Sequence, residues 1–104
     1  MSKEFTFRKA NQANLMKINL LLPKLVKEYG DSHPEILEVK KVFEGMKKKT
    51  MAAMIGRKGN PELSQEFASL RQLTTNYTVP KGVNDNFEAL YKAFEEADRV
   101  YKTL

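Results

Sequence analysis

Few residues of this chain could carry out acid–base or metal chemistry. Among its 104 residues there is one histidine, His33, and no cysteine, which excludes disulfides, thiol catalysis and cysteine-ligated clusters. Neither a glycine-rich phosphate loop nor a Gly-x-Ser-x-Gly nucleophile motif is present. We therefore predict no catalytic residue and interpret the protein as a non-enzyme. One cluster of carboxylates alternates with cations, as in ordinary i,i+4 pairing on an exposed helix: Glu95, Glu96 and Asp98 among Lys92, Arg99 and Lys102.

Positive charge is concentrated in the first part of the chain. The net charge is +5, and residues 1–60 hold 13 Lys and Arg against 6 Asp and Glu. This excess suits an acidic protein partner or nucleic acid, and it suits a solvated helix face equally well. No recognition motif or interleaved aromatic residue accompanies the charge, so nucleic acid is the weaker hypothesis. The candidate partner surface consists of Lys40, Lys41, Lys47, Lys48, Lys49, Arg57 and Lys58.

Four apolar stripes at helical spacing predict the elements that would position these residues. The first segment contains Pro23, which either kinks one helix or lies near the start of a second helix capped by Asn19. The second segment opens with Ser32 as a predicted N-cap, followed by Pro34 and Glu35 in the first turn. The two stripes are Leu15, Ile18, Leu22, Leu25 and Tyr29, then Ile36, Val39, Phe43, Met46, Thr50 and Ala53.

The second half of the chain predicts two more helices. Asn60 is a predicted cap with Pro61 at the first helical position, and residues 79–82 (Val-Pro-Lys-Gly) predict the turn that follows. The last helix is predicted to begin at Asp85, with Glu88 three residues later as in a capping box. The stripes are Leu63, Phe67, Leu70, Leu73 and Tyr77, then Phe87, Leu90, Phe94, Ala97, Tyr101 and Leu104.

Four amphipathic helices joined by short loops favour an all-α fold, an antiparallel four-helix bundle. We predict a single domain over residues 1–104, in which residues 1–13 form a looser N-terminal extension. No apolar run reaches the ~20 residues of a membrane span, and the first residues lack the apolar stretch of a signal peptide. We therefore expect a cytoplasmic protein with no membrane partner.

Two stretches resemble motifs of one known family. Residues 29–43, Tyr-Gly-Asp-Ser-His-Pro-Glu-Ile-Leu-Glu-Val-Lys-Lys-Val-Phe, resemble the His-Gly-x-x-His-Pro-Glu-Leu-x-Glu-Val motif of hemerythrin-like proteins that repair iron–sulfur clusters. Residues 70–80 and 87–91 resemble the later Leu-Thr-x-x-Tyr-x-x-Pro and Leu-Tyr segments of that family. The resemblance covers residues 14–104. It implies a four-helix bundle that holds two non-haem irons, and a role in cluster repair under nitrosative or oxidative stress.

The departures from the family pattern fall on the metal ligands. Tyr29 stands where the family has the first histidine of its motif, whereas His33 is retained. Ala53 and Arg57 stand where the family has a later histidine and glutamate, and Asn84 replaces a cysteine. The mid-chain histidine has no counterpart near position 60, and the final His-x-x-x-Glu falls at or beyond position 104. The resemblance thus implies a relative that has lost its di-iron site.

Three functional hypotheses follow. The first is a non-catalytic protein-binding or regulatory bundle without a cofactor, which pairs with a partner protein or with a second copy of itself. The second retains the family role, with a di-iron or other metal site. In that case His33, as the retained ligand position, would have to converge with further carboxylates, Glu35, Glu62 and Asp98, or a partner chain would have to supply the remaining ligands. The third is a weak nucleic-acid binder that uses the basic second helix.

Overall fold

The computed structural model describes residues 6–56 and 60–104. These residues form five helices and no strand: α1 Phe7–Ala10, α2 Gln12–Tyr29, α3 Glu35–Ile55, α4 Ser64–Leu73 and α5 Asp85–Lys102. The predicted all-α class is confirmed. The described residues form five helices where four were predicted, because the one-turn helix α1 precedes the four longer ones. Within the described residues, no helix is both long and apolar enough to cross a membrane.

Hydrogen bonds at both ends of α2 show that α2 and α5 run antiparallel. At the start of α2, the Asn11 side chain donates to the carbonyl oxygen of Ala97 near the end of α5, at 3.4 Å. At the end of α2, the Tyr29 hydroxyl accepts from the backbone N–H of Asn84, just before α5, at 2.9 Å. Side-chain contacts place α4 against both α3 and α5. The molecule is elongated, with extents of 46 × 22 × 19 Å.

Helix α2 packs more extensively against α5 than against α3. Ala93 and Ala97 are buried, and residues four apart share one face of a helix. The Asn11 side chain at the start of α2 reaches the backbone carbonyl of Ala97, so this end of α5 lies beside α2.

An aromatic cluster closes one end of the core. Phe7 of α1 is fully buried, with its ring centroid 6.1 Å from that of Phe67 and 5.9 Å from that of Tyr101, both edge-on. The Phe7 backbone N–H donates to Asn60 Oδ1 at 2.6 Å. Residues 1–13 were predicted to form a looser extension, but Phe7 and Asn11 of this segment are packed into the core. Residues 1–5 lie outside the described residues.

Two predicted helix starts are wrong, and one open alternative is decided. Helix α2 continues through Pro23 as a single helix, so Asn19 caps no second helix. Helix α3 begins at Glu35, with Pro34 in the cap position and no side-chain cap from Ser32. Helix α4 begins at Ser64, because the Asn60 oxygen that was expected to cap it is bonded to α1 instead.

The start of α5 is close to its predicted position. Asn84, rather than Asp85, is the N-cap, and its side-chain oxygen accepts from the Phe87 N–H at 3.0 Å. Asp85 and Glu88 lie in the first turn, where carboxylates interact favourably with the positive end of the helix dipole. The predicted stripe of α5 is buried from Phe87 to Ala97.

We predict that Phe67→Ala lowers the free energy of unfolding by about 3–5 kcal/mol, because it leaves a cavity among buried aromatic rings. The matched control is Leu20→Ala at a side chain that is 62% exposed, which should change stability by less than about 0.5 kcal/mol. Urea denaturation monitored by circular dichroism measures both. Equal, small losses for the two variants would contradict the assignment of Phe67 to the core.

Candidate functional site

His33 lies in the turn between α2 and α3, packed between aromatic rings. Its ring centroid is 5.7 Å from that of Tyr29 and 5.6 Å from that of Phe87. Its Nδ1 atom is 3.6 Å from a carboxylate oxygen of Glu35, and its backbone N–H donates to the Tyr29 carbonyl at 2.7 Å. The side chain therefore has a place in the packing of this turn and one carboxylate beside it.

The other candidate metal ligands lie elsewhere. The Glu62 carboxylate accepts from the Ser64 hydroxyl, and Asp98 accepts from side chains of α4 and the turn after it. Among residues 6–56 and 60–104, no three histidine or carboxylate side chains are grouped so that they could hold a metal ion. The set His33, Glu35, Glu62 and Asp98 is thus not brought together, and the metal-binding hypothesis stays a prediction.

Two residues that depart from the pattern of the resembled family contact each other. The Tyr29 hydroxyl accepts from the Asn84 backbone N–H, and the Asn84 amide nitrogen is 3.3 Å from both carboxylate oxygens of Glu28. These bonds join the end of α2 to the start of α5. Ala53 is buried in α3, and Arg57 lies outside the described residues. The replaced positions therefore contribute packing and hydrogen bonds between helices.

The lysines of α3 do not form one patch. Lys49 forms an ion pair with Glu66 of α4 at 2.8 Å, and Lys41 pairs with Glu38 of its own helix at 3.6 Å. Lys48 is exposed, and Arg57 and Lys58 lie outside the described residues. The remaining two predicted lysines, Lys40 and Lys47, face α2.

A groove runs between α2 and α3, and we call it the α2–α3 groove. It contains two neighbouring cavities of about 160 and 60 Å³, and Phe43 and Lys47 line both. Its described lining is mostly apolar and consists of Phe7, Leu15, Asn19, Leu22, Pro23, Lys40, Phe43, Glu44, Met46, Lys47, Thr50 and Met51. Phe7, Leu22, Phe43 and Met46 are each at most 3% exposed, so the groove has a nearly buried apolar floor. Exposed Met51 and charged residues lie at its edge.

Large apolar side chains extend this surface to the outside of the molecule. Met16 and Leu20 of α2 are 66% and 62% exposed, and Met51 of α3 is 57% exposed. Met16 and Leu20 share a concave surface with Asn19, which also lines the groove. Contiguous exposed apolar surface of this kind marks interaction sites in soluble proteins.

Lysines border the α2–α3 groove. The Lys47 ammonium lies 5.3 Å from the centroid of the Phe43 ring and 3.5 Å from Asn19 Oδ1. The Lys40 ammonium is 3.4 Å from a carboxylate oxygen of Glu44, which is the one acid among the described groove residues. Lys17 lies beside Met16 and Leu20. The rim therefore carries net positive charge.

A second polar feature joins α4 to α5. The sequence interpretation of Asp98 as a surface residue is wrong, because Asp98 is only 3% exposed. Its Oδ2 atom accepts from Arg71 Nε at 2.8 Å and from the Tyr77 hydroxyl at 2.7 Å, and its Oδ1 atom accepts from Arg71 Nη2 at 3.2 Å. We call these three residues the Asp98 network.

The Asp98 network shifts the protonation of its members. Burial alone would raise the pKa of Asp98, but the hydrogen bonds from Arg71 and Tyr77 outweigh it and lower that pKa below its usual value. Burial, together with the hydrogen bond to Asp98, raises the pKa of Tyr77. Asp98 is thus a buried carboxylate that remains ionised because its partners compensate for lost water.

A left-handed turn brings Tyr77 to Asp98. Thr75, Asn76 and Tyr77 have φ angles of 53°, 56° and 62°, which cost roughly 1–2 kcal/mol per residue when no glycine is present. The Asn76 N–H donates to the Arg71 carbonyl at 2.7 Å, and the Tyr77 N–H donates to the Thr74 hydroxyl oxygen at 2.8 Å. These bonds and the Asp98 network hold a conformation that the residues alone disfavour.

The sequence does contain one signal for the burial of Asp98. It lies four residues after Phe94 and seven after Tyr91, which places it on the apolar stripe of α5. A carboxylate at such a position requires a partner from another helix. The identity of that partner, Arg71, carries no local signal because it lies 27 residues earlier in the chain.

Comparisons with protein-family models, with curated proteins and with solved structures found no match for this chain. The likeness to hemerythrin-like repair proteins therefore rests on the two sequence motifs, and it enters the functional argument as a hypothesis. The other support for a function comes from the cavities, distances and charges of the described residues.

We predict that Asp98→Asn lowers the free energy of unfolding by about 1–3 kcal/mol at pH 7, because charged hydrogen bonds to Arg71 and Tyr77 are weakened. The folded-state pKa of Asp98 is lowered, so its stabilisation is present above the unfolded pKa of about 3.9. It is lost as the pH falls through the folded-state pKa. The gap between wild type and variant should therefore shrink in acid, as measured by urea denaturation.

Glu96→Gln is the matched control. Glu96 pairs with Arg99 on the exposed face of the same helix, and such pairs contribute about 0–1 kcal/mol. A gap between wild type and Asp98→Asn that stays constant between neutral and acid pH would contradict the pKa assignment, and no gap at all would contradict the network.

Proposed function

We propose that this protein is a non-catalytic binding domain that holds an acidic amphipathic helix of a partner protein in the α2–α3 groove. On this proposal the four longer helices act as an antiparallel bundle, with α1 over one end. The bundle is a cytoplasmic relative of hemerythrin-like repair proteins that works without their irons. The observation that carries the proposal is the open apolar groove with lysines along its rim.

The length of the groove suits a short helix. On α3 its lining extends from Lys40 to Met51, which at 1.5 Å per residue corresponds to roughly 16 Å, or three turns. Helices that bind in grooves insert apolar side chains at positions i, i+3 or i+4, and i+7. Three turns supply three such anchors, which would fill the cavities beside Phe43 and Met46.

The exposed apolar residues favour a protein partner. Burial contributes about 25 cal/mol per Å² of apolar surface, and Met16, Leu20 and Met51 leave more than half of their side-chain surface in water. Methionine is unbranched and adapts to differently shaped partners. A partner helix that covers these three side chains would remove most of their exposed apolar surface from water.

The charge on the rim selects an acidic partner. Lys17, Lys40 and Lys47 border the groove and the adjoining surface, and Glu44 is paired with Lys40. Carboxylates on the flanks of a bound helix would lie near these ammonium groups, which increases the rate of association and fixes orientation. A basic helix with the same apolar face would place like charges together.

We predict that an amphipathic peptide of three to four turns with Glu on its flanks binds, and that its counterpart with Lys on the flanks binds at least about tenfold more weakly. Lys47→Glu should weaken the acidic peptide by about tenfold and should reduce the preference for it. Fluorescence anisotropy with labelled peptides measures these affinities.

The control variant is Lys92→Glu, which changes the same charge on an exposed part of α5 away from the groove and should leave binding unchanged. Equal affinity for the two peptides, or equal effects of the two variants, would contradict the proposal. Sedimentation equilibrium provides a further test, since a dimer that Met51→Glu dissociates would mean that a second copy of the chain occupies the groove.

A further inference from the structure

A cleft that is separate from the α2–α3 groove lies between the turn after α4 and the last turns of α5. It has a volume of about 300 Å³, and its lining includes Arg71, Asn76, Glu95, Arg99 and Lys102. We propose that this cleft binds the phosphate group of a small hydroxyl-bearing phosphate monoester. The proposal does not rest on the α2–α3 groove, because the two sites share no lining residue.

Arg71 is held in place for such a ligand. Its Nε and one Nη atom donate to Asp98, while a guanidinium has five N–H donors. The side chain is 34% exposed, so the remaining donors are open to the cleft. An arginine whose plane is already fixed loses less conformational entropy when it binds an anion than a free surface arginine does.

The charge of the cleft favours an anion. Arg71, Arg99 and Lys102 contribute three cations, against the carboxylates of Glu95 and Asp98. Asp98 is buried with both oxygens hydrogen-bonded, so it neutralises Arg71 from behind and does not face a ligand as a free charge. Phosphate is recognised by guanidinium and ammonium groups through charge-assisted hydrogen bonds.

The helix dipole would also explain the positions of Arg99 and Lys102. Cations in the last turn of a helix interact favourably with its dipole, and Arg99 also pairs with Glu96. Arg71 likewise lies in the last turn of its own helix, α4, but the dipole does not require the fixed guanidinium orientation that Asp98 gives it. The left-handed turn brings Asn76 to the edge of the same cleft. Non-glycine residues in disfavoured backbone conformations cluster at ligand sites.

The other residues that line the cleft indicate which groups the ligand carries beside its phosphate. The cleft is larger than a phosphate ion, since 300 Å³ is about ten times the share of one water molecule in the liquid, about 30 Å³. Glu95 offers carboxylate oxygens that accept hydrogen bonds, and the Asn76 amide can donate or accept. Hydroxyl groups next to the phosphate match these partners, as in a sugar phosphate.

Ribose 5-phosphate is the probe, with ribose and inorganic sulfate as comparison ligands, and binding is followed by two-dimensional NMR of the ¹⁵N-labelled protein. We expect saturable shifts at Arg71, Asn76 and Lys102 with ribose 5-phosphate, weaker binding of sulfate and none of ribose. Lys102→Gln and Arg99→Gln, which change exposed side chains and leave the Asp98 network intact, should each weaken binding by about three- to tenfold.

Asn76→Gly gives a second readout. Glycine adopts a positive φ without steric cost, so this variant should be at least as stable as the wild type and yet bind ribose 5-phosphate more weakly. Lys92→Gln, on α5 outside the cleft, is the control and should bind as the wild type does. The proposal is overturned if ribose 5-phosphate produces no saturable shift, or if sulfate binds equally well and Lys92→Gln weakens binding as much as Lys102→Gln does.

Discussion

The extensive packing of α2 against α5 is the constraint on which the rest of the architecture depends. Hydrogen bonds from Asn11 and to Tyr29 fix both ends of the pair. Helix α3 packs against α4 and less extensively against α2. Phe43 and Met46 form part of the buried floor of the space between α2 and α3. The groove thus lies between two helices that pack less extensively than α2 and α5 do.

The Asp98 network allows α5 to bury a carboxylate. A carboxylate on the apolar stripe is unfavourable unless its hydrogen bonds are satisfied, and Arg71 and Tyr77 satisfy them. Tyr77 reaches Asp98 only after the chain has passed through a left-handed turn. The network and the hydrogen bonds to the Thr74 hydroxyl and the Arg71 carbonyl together hold this turn, and the same arrangement fixes the guanidinium of Arg71 beside a cleft.

The sequence predicts the helices better than the sites. Apolar spacing located all four longer helices, since residues such as Phe43 and Phe94 repeat at the helical period and are buried. Local rules failed where a distant contact competed. The oxygen of Asn60 bonds to α1 and caps no helix. The burial of Asp98 depends on Arg71, and the exposure of Leu20 depends on which helices pair. The place of Asp98 on the apolar stripe of α5 is a local signal for its burial, but its partner Arg71 lies 27 residues earlier in the chain. The pairing of helices that leaves Leu20 exposed likewise has no local signal.

The most direct test of the proposed function is two-dimensional NMR of the ¹⁵N-labelled protein during titration with the acidic amphipathic peptide. The account predicts saturable shifts at groove residues of both helices, such as Asn19, Lys47 and Met51, with the signals of the Asp98 network unchanged. An absence of shifts, or shifts confined to α4 and α5, would contradict the claim that the α2–α3 groove is the binding surface.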